Sequence, residues 1–196
     1  GDLNRMFGYD FQIATLTADQ IKKYFMINGS NVDAYDNLTM PTFEEYLDVM
    51  KKNKEVHPFV EIKEELNDAD LRKIVKQVKD AGLLKETYFI SMHQSNLLSL
   101  QRMDGVNTSQ LQYVYGAEDS NKATSVTSSV INWCISNQID LDSRQSLVTA
   151  SDVYRLQMAG RQVNVWTVNT IEKAYDLVNK LHVDMITTEY MLNTEP

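Results

Sequence analysis

Cysteine is nearly absent from this sequence, since Cys134 is the only one among 196 residues, and an intramolecular disulfide is therefore excluded. Cys134 follows Trp133 in an apolar stretch, which predicts a buried core residue rather than a reactive thiol. Proline is also scarce, with three residues, and 43% of the chain is hydrophobic. That composition argues against disorder and predicts one globular domain with a sizeable core.

Clusters of basic residues and long apolar runs are missing as well. The formal net charge is −8, which disfavours nucleic acid as a partner because a polyanion is bound by clustered Lys and Arg. No stretch approaches the roughly 18 apolar residues of a membrane span. No signal peptide is visible, but the sequence begins at Gly1 without a methionine, so both a cytoplasmic location and export (periplasmic) after removal of a leader stay open.

Short apolar runs alternate with helical patterns from residue 41 to the C-terminus. We expect strands at 58–63, 88–91, 112–115, 138–141, 163–168 and 183–187, separated by helices. Residues 1–40 are rich in Asn, Asp and Gly, and we interpret them as an irregular, insertion-like segment of the same single domain, 1–196. A one-directional run of about six βα units predicts an α/β fold with a parallel sheet and favours a barrel.

Two strand motifs carry the chemical signal. One is Phe59-Val60-Glu61-Ile62-Lys63, and the other runs from Val163 to Asn169. Each apolar run delivers polar or aromatic groups at its C-terminal end, where a parallel barrel builds its active site. Glu61 and Lys63 are two residues apart and therefore face the same side of their strand.

Several segments, in order along the chain, resemble the C-terminal three-quarters of a glycerophosphodiester phosphodiesterase. They are Leu3-x-Arg5, Leu16-Thr17 with Ile21, Pro41-Thr42-Phe43-Glu44-Glu45-x-Leu47, Val60-Glu61-Ile62-Lys63, Ser91-Met92-His93, Val165-Trp166-Thr167-Val168-Asn169 and Val183-Asp184-x-Ile186-Thr187-Thr188-Glu189-Tyr190. The segment from Val165 to Asn169 is identical to the family's V-W-T-V-N motif. Each segment is a weak signal by itself, but the ordered set is specific.

The resemblance implies a TIM-type (β/α) barrel and a metal-dependent hydrolysis of glycerophosphodiesters to an alcohol and glycerol phosphate. It implies that Glu61 is a ligand of a divalent cation, Ca²⁺ or Mg²⁺, which suits oxygen ligands. Lys63 resembles the family lysine that faces the phosphate, where an ammonium stabilises charge in phosphoryl transfer. Trp166 resembles an aromatic wall of the substrate pocket.

Each of these residues also has a plainer interpretation. Glu61 and Lys63 could be an exposed ion pair at a strand end, and Trp166 an ordinary core residue. His93 invites a catalytic role because histidine is the usual proton shuttle near neutral pH. It replaces a family Asp or Asn, however, and we interpret it, with His57 and His182, as structural or exposed.

The family's catalytic histidines are missing from this sequence. They belong to H-R-G and H-D motifs, and two further metal carboxylates belong to an E-x-D motif; none of these, nor P-E-N-T, occurs here. The alignment of Leu3-x-Arg5 would put the second histidine before Gly1. We therefore name no catalytic residue and predict that this chain alone does not turn over substrate.

The resemblance also predicts an incomplete barrel, with about six of the eight strands in this chain. Open sheet edges invite pairing, so we expect a cover for the gap: a homodimer, a partner with the missing strands, or the N-terminal region of the chain. Two function classes follow. The chain is a truncated or divergent piece of a phosphodiesterase, or it is a catalytically inactive homologue that acts as a ligand-binding or interaction module.

Overall fold

The structure is a computed structural model that describes residues 3–10, 12–29, 32–117, 123–189 and 192. The chain divides into two compact units, residues 1–52 and residues 53–196. Tyr190, the last residue of the final sequence segment, lies outside the described residues.

Among its described residues the first unit has three α-helices, α1 (Leu3–Phe7), α2 (Ala18–Ile21) and α3 (Phe43–Lys52), and two single-turn 3-10 helices. The predicted capping box begins α2, because the Thr17 side chain accepts from the backbone N–H of Gln20 and the Gln20 side chain accepts from that of Thr17. Helix α3 is amphipathic, with Glu44 and Glu45 in its first turn and two lysines in its last, a charge order that suits the helix dipole. The Lys22 ammonium lies 2.5 Å from Glu45.

The second unit is built on one six-stranded parallel sheet. Its strands are β1 (Phe59–Glu61), β2 (Tyr88–Ser91), β3 (Leu111–Tyr115), β4 (Asp140–Arg144), β5 (Val163–Trp166) and β6 (Met185–Ile186). They lie side by side in chain order, and every pairing is parallel. This topology confirms the predicted α/β fold, an incomplete (β/α) barrel with six strands.

A helix follows each of the first five strands. The helices are α4 (Asp68–Asp80), α5 (Gln94–Gln101), α6 (Ser128–Asn137), α7 (Ala150–Met158) and α8 (Ile171–Asn179). Side-chain oxygens cap four of them at their N-termini: Asn67, Thr127, Thr149 and Thr170 each accept from a backbone N–H in the first turn. These caps fix where each helix leaves its strand.

The two faces of the sheet differ in chemistry. One set of alternating residues is apolar and fully buried, as at Phe89, Leu111, Leu141 and Val165. The other set carries polar groups even where it is buried, as at Gln112, Asp142 and Asn164. The hydrophobic core therefore lies on the first face, and the second face is left for the site.

The strand boundaries lie within two residues of the predicted ones except at the end of β4. We expected a strand at 138–141, but β4 spans Asp140–Arg144, and Gln138 has φ 56°, in the left-handed region, as the C-cap of α6. The prediction stopped early because Asp142, Ser143 and Arg144 are polar and Asp is disfavoured in strands. Asp142 therefore lies inside a barrel strand.

Both ends of the sheet are open within the described residues. Strand β1 pairs only with β2, and β6 pairs only with β5. No helix among the described residues is long and apolar enough to cross a membrane. Cys134 is fully buried, as its sequence context predicted, and burial raises the pKa of its thiol to about 12, with a further rise from Asp140.

Candidate functional site

A cavity of about 430 Å³ opens at the carboxyl ends of the strands. Glu61, Lys63 and Trp166 all line it, although they are separated by up to about a hundred residues in sequence. The remaining lining residues come from β2, β3 and β4 and from the segments that follow β3, β5 and β6: Ile90, Val114, Ala117, Asp142, Thr167, Thr187 and Glu189. The fold thus brings the three residues named from sequence to one place, which is where parallel barrels hold their substrates.

Glu61 and Lys63 form an ion pair at the mouth of this cavity. Nζ of Lys63 lies 3.6 Å from Oε2 of Glu61, and the Lys63 side chain is 71% exposed. An exposed pair at this distance contributes about 0–1 kcal/mol to stability. Its stabilising effect is small, so the ammonium is available to an anionic ligand.

Trp166 is the last residue of β5 and forms a wall of the cavity. Its indole Nε1 is buried without a hydrogen-bond partner among the described residues. The guanidinium of Arg144, the last residue of β4, lies 5.8 Å from the centroid of the Trp166 ring. The next peptide bond, between Trp166 and Thr167, is cis, and the Thr167 carbonyl accepts a hydrogen bond from the Gln145 side chain.

Asp142 is the site residue that the sequence did not reveal. It is 3% exposed, it lines the same cavity as Glu61, and its Oδ1 has no hydrogen-bond partner in the described part of the chain. Burial, and after it the negative charge of Glu61, raises the pKa of the Asp142 carboxyl to about 7. The only sequence signal was an Asp beside the apolar Leu141, and the early end predicted for β4 concealed it.

The buried polar residues beside Asp142 satisfy one another. The Asn164 amide donates to Oε1 of Gln112 at 3.4 Å and to Oγ1 of Thr187 at 3.2 Å. Asn164 is in register with Asp142 across β4 and β5, yet this network does not include the orphaned Oδ1. A buried polar atom without a partner is costly, and such atoms concentrate at functional sites.

The loops after β5 and β6 are tied together at the rim of the cavity. Nδ2 of Asn169 donates to Oε2 of Glu189 at 2.9 Å, and the backbone N–H of Glu189 donates to Oδ1 of Asn169 at 3.0 Å. Asn169 is the last residue of the V-W-T-V-N segment. The Asn169 side chain therefore joins the loop after β5 to the loop after β6.

The three histidines do not line the cavity. Nε2 of His93 lies 3.0 Å from the Lys63 carbonyl oxygen, and Nδ1 of His57 lies 3.2 Å from that of Glu86. His182 has φ 61°, a conformation that favours glycine, the residue expected there from the resemblance. His57 and His93 thus contact backbone carbonyl oxygens, and His93 anchors the backbone that carries Lys63.

No group of three or more His, Cys, Asp or Glu side chains that could hold a metal ion occurs within residues 3–10, 12–29, 32–117, 123–189 and 192. The cavity nevertheless offers carboxylate oxygens from Glu61 and Asp142, and one of these oxygens is unpaired. Oxygen donors of this type are the ones that Ca²⁺ and Mg²⁺ prefer. The donor chemistry therefore fits a hard cation, with fewer protein ligands than a closed metal site has.

The fold is shared with solved structures of low sequence identity. A glycerophosphodiester phosphodiesterase from Parabacteroides distasonis is 24% identical, with a TM-score of 0.68, and the match covers 92% of this chain and 71% of that one. A phosphodiesterase from Oleispira antarctica, solved in complex with the product sn-glycerol-3-phosphate, is 18% identical, with a TM-score of 0.73, and the match covers 96% of this chain and 72% of that one. At these identities the likeness shows the fold, a TIM-type barrel of which six strands lie in the described part of this chain.

No curated protein matches the sequence significantly. A family model does match, and the match covers residues 1–192, almost the whole chain. It describes the glycerophosphoryl diester phosphodiesterase family, as the ordered sequence segments indicated. The chain therefore belongs to the glycerophosphoryl diester phosphodiesterase family.

Proposed function

We propose that this chain binds glycerophosphodiesters and their glycerol phosphate product in the cavity at the carboxyl ends of its strands, and that it serves the metal-dependent hydrolysis characteristic of its family. The observation that carries the proposal is the convergence of Glu61, Lys63 and Trp166 on one cavity. The product bound by the Oleispira antarctica phosphodiesterase, sn-glycerol-3-phosphate, supports a ligand of this class.

Lys63 is the residue that we assign to the phosphate. Its ammonium is mostly exposed and has only a 3.6 Å pairing with Glu61, so it can approach a phosphate oxygen with little loss of existing contacts. A lysine binds phosphate as a compact point charge and stabilises the charge that develops as a P–O bond breaks. His93 supports this role by holding the Lys63 carbonyl.

We assign Trp166 to the carbon part of the substrate. A large indole at the cavity wall packs against glycerol or head-group carbons and excludes water from one side of the phosphate. Its orphaned Nε1 is a hydrogen-bond donor that an oxygen of the ligand could satisfy.

Glu61 is the carboxylate that we assign to a divalent cation, Ca²⁺ or Mg²⁺. Such a cation, when bound, polarises a phosphoryl oxygen and neutralises charge on the phosphate. Without the cation, Glu61 would repel the phosphate that Lys63 attracts. The two residues can therefore serve one phosphate only if a cation neutralises the charge of Glu61. The proposal therefore requires the cation and the phosphate to bind cooperatively.

The experiment that tests the proposal is a titration of the purified chain with sn-glycerol 3-phosphate and with glycerophosphocholine in the presence of Ca²⁺ or Mg²⁺. In a Trp133→Phe background, Trp166 is the only tryptophan, so a change in its emission reports occupancy of the cavity. We expect saturable binding, and Lys63→Ala should weaken it about tenfold or more, since losing a charge-assisted contact costs about 1.5–3 kcal/mol.

Lys85→Ala is the matched control, because Lys85 is also an exposed lysine but precedes β2, at the opposite end of the strands. It should bind as the parent does. Absence of any binding, or an equal loss in both lysine variants, would contradict the proposal. Release of glycerol phosphate from glycerophosphocholine in the same tube would separate the two function classes, and turnover would overturn the prediction that this chain alone is inactive.

A further inference from the structure

Asp142 has a buried carboxylate oxygen that no described residue of the protein contacts by a hydrogen bond, so a ligand is needed to complete its contacts. It lies in the middle of β4, in register with Val114 on one side and Asn164 on the other. At 3% exposure it is almost fully removed from water, yet it lines the cavity. A carboxylate in such a position is expensive unless it is paired, hydrogen-bonded or bound to a metal.

The protein supplies Asp142 with little compensation. Oδ1 has no hydrogen-bond partner among the described residues, and no ion pair of Asp142 occurs among them. The neighbouring amides are already engaged, because Asn164 donates to Gln112 and Thr187. By contrast Asp140, two residues earlier on the same strand, accepts from the backbone N–H of Gln162 at 2.9 Å and faces the Arg161 guanidinium at 3.3 Å.

A second carboxylate, that of Glu61, lines the same cavity and adds to its uncompensated negative charge. The Glu61 side chain is 34% exposed, so its charge is only partly screened by water. The ammonium of Lys63 is paired with Glu61 and is mostly in solvent. Glu189 lines the cavity as well, so three carboxylates with one exposed counter-charge leave it short of positive charge.

We infer that Asp142 and Glu61 bind one divalent cation between β4 and β1, and that Asp142 is a metal ligand of this chain in addition to the glutamate that the family resemblance implies. Ca²⁺ and Mg²⁺ are hard cations that take carboxylate oxygens, and Mg²⁺ in particular is often held by one or two carboxylates together with water and substrate phosphate. The unpaired Oδ1 and the oxygens of Glu61 meet that description.

Two protein carboxylates leave most of the coordination shell to other oxygens. Water would occupy those positions in the free protein, and a phosphate oxygen held by Lys63 could replace one of the waters. This coupling rests on the proposed function, whereas cation binding by Asp142 and Glu61 in the free protein does not. The two claims can therefore fail separately.

The test uses the full chain without substrate and measures binding of Mn²⁺, by the loss of the free-ion signal in electron paramagnetic resonance, and of Ca²⁺ and Mg²⁺ by calorimetry. The variants are Asp142→Asn and Glu61→Gln, each of which keeps shape and removes one charge. The control is Asp104→Asn, which removes the same charge from a residue that is 98% exposed and lies before β3, away from the cavity.

We expect wild type and Asp104→Asn to bind one cation with equal affinity, and Asp142→Asn and Glu61→Gln each to lose about tenfold or more, a loss at least as large as that seen for residues that only support metal ligands. Thermal unfolding provides a second readout. Without metal, Asp142→Asn should melt at or above the wild-type temperature, because it removes a buried unpaired charge, and added Ca²⁺ should raise the midpoint of wild type but not of the variant.

Two results would overturn the inference. One is the absence of cation binding by wild type, and the other is an Asp142→Asn variant that binds the cation as wild type does. If that variant instead loses only affinity for sn-glycerol 3-phosphate, Asp142 accepts a substrate hydroxyl and is not a metal ligand. Cation binding without any binding of sn-glycerol 3-phosphate would leave this inference standing and refute the proposed function.

Discussion

The guanidinium of Arg144 lies over the indole ring of Trp166, 5.8 Å from its centroid. The two residues end β4 and β5 and are partners in the strand register. A cation over an indole face attracts the ring quadrupole, with an energy of about 0.5–1 kcal/mol at exposed sites and about 2 kcal/mol when water is excluded. The contact therefore holds a wall of the cavity to the strand that also carries Asp142.

The Arg144→Ala substitution should remove this contact and leave the Trp166 side chain less firmly positioned. We expect it to lower the free energy of unfolding by about 0.5–2 kcal/mol and to change the Trp166 emission in a Trp133→Phe background. Arg72→Ala is the control, since Arg72 is an exposed residue of α4. If the two variants have the same emission and stability, the contact has no part in positioning Trp166.

Asp140 should make the fold less stable as pH rises. Burial is the main cause that raises the pKa of its carboxyl from 3.8 to about 6, although the Gln162 N–H and the Arg161 guanidinium oppose it. The folded chain then binds more protons than the unfolded chain between about pH 4 and pH 6, so the free energy of unfolding contributed by this group falls as pH rises through that window.

Asp140→Asn should remove this dependence. In urea unfolding at a series of pH values, we expect the stability of the variant relative to wild type to rise between about pH 4 and pH 7, by up to about 3 kcal/mol. Asp104→Asn should show no such trend because Asp104 is exposed. Parallel stability curves for Asp140→Asn and wild type would contradict the assignment.

A residue with a side chain cannot replace Gly116 without strain, both because the φ of Gly116 is positive and because a Cβ there would have too little room. It has φ +87°, and a Cβ built there would lie 2.6 Å from Cδ1 of Leu147, a buried residue. Gly82 has a similar φ of +76°, but no described heavy atom lies within 4 Å of its Cβ position. Both alanine variants should be strained, and Gly116→Ala should lose about 1–3 kcal/mol more in denaturant unfolding because Leu147 must repack. Equal losses would show that the close approach of Leu147 is relieved without cost.

The open edges of the sheet predict self-association. Strand β1 has no second neighbour among the described residues, and an unpaired edge is a template for another chain. We expect light scattering after gel filtration to give the mass of a homodimer at micromolar concentration. A stable monomer at all concentrations would exclude the dimer and favour a cover from within the chain.

Much of the fold could be predicted because the local signals agree with one another. Alternating βα patterns, caps such as Thr149 and apolar positions such as Leu141 all indicate the same parallel sheet. The three residues assigned from the resemblance also converge on one cavity, although their roles stay predictions.

The features of the site that could not be predicted depend on contacts that leave no pattern in the sequence. Asp142 was missed because polar residues made the end of β4 look like a loop, and because its importance comes from an unpaired oxygen in the cavity that Glu61 also lines. The anchoring of Lys63 by His93 joins residues 30 apart and depends on how β1 and β2 align. Neither relationship has a periodicity that a reading of the chain could detect.

The measurement that tests the central claim most directly is the affinity for sn-glycerol 3-phosphate with and without Ca²⁺ or Mg²⁺, by calorimetry, in wild type and Glu61→Gln. If Glu61 and Lys63 serve one phosphate through one cation, the cation should tighten binding to wild type by about tenfold, a coupling of about 1.4 kcal/mol, and should have no effect on Glu61→Gln. Binding that is indifferent to the cation in wild type, or equally enhanced in the variant, would contradict the account.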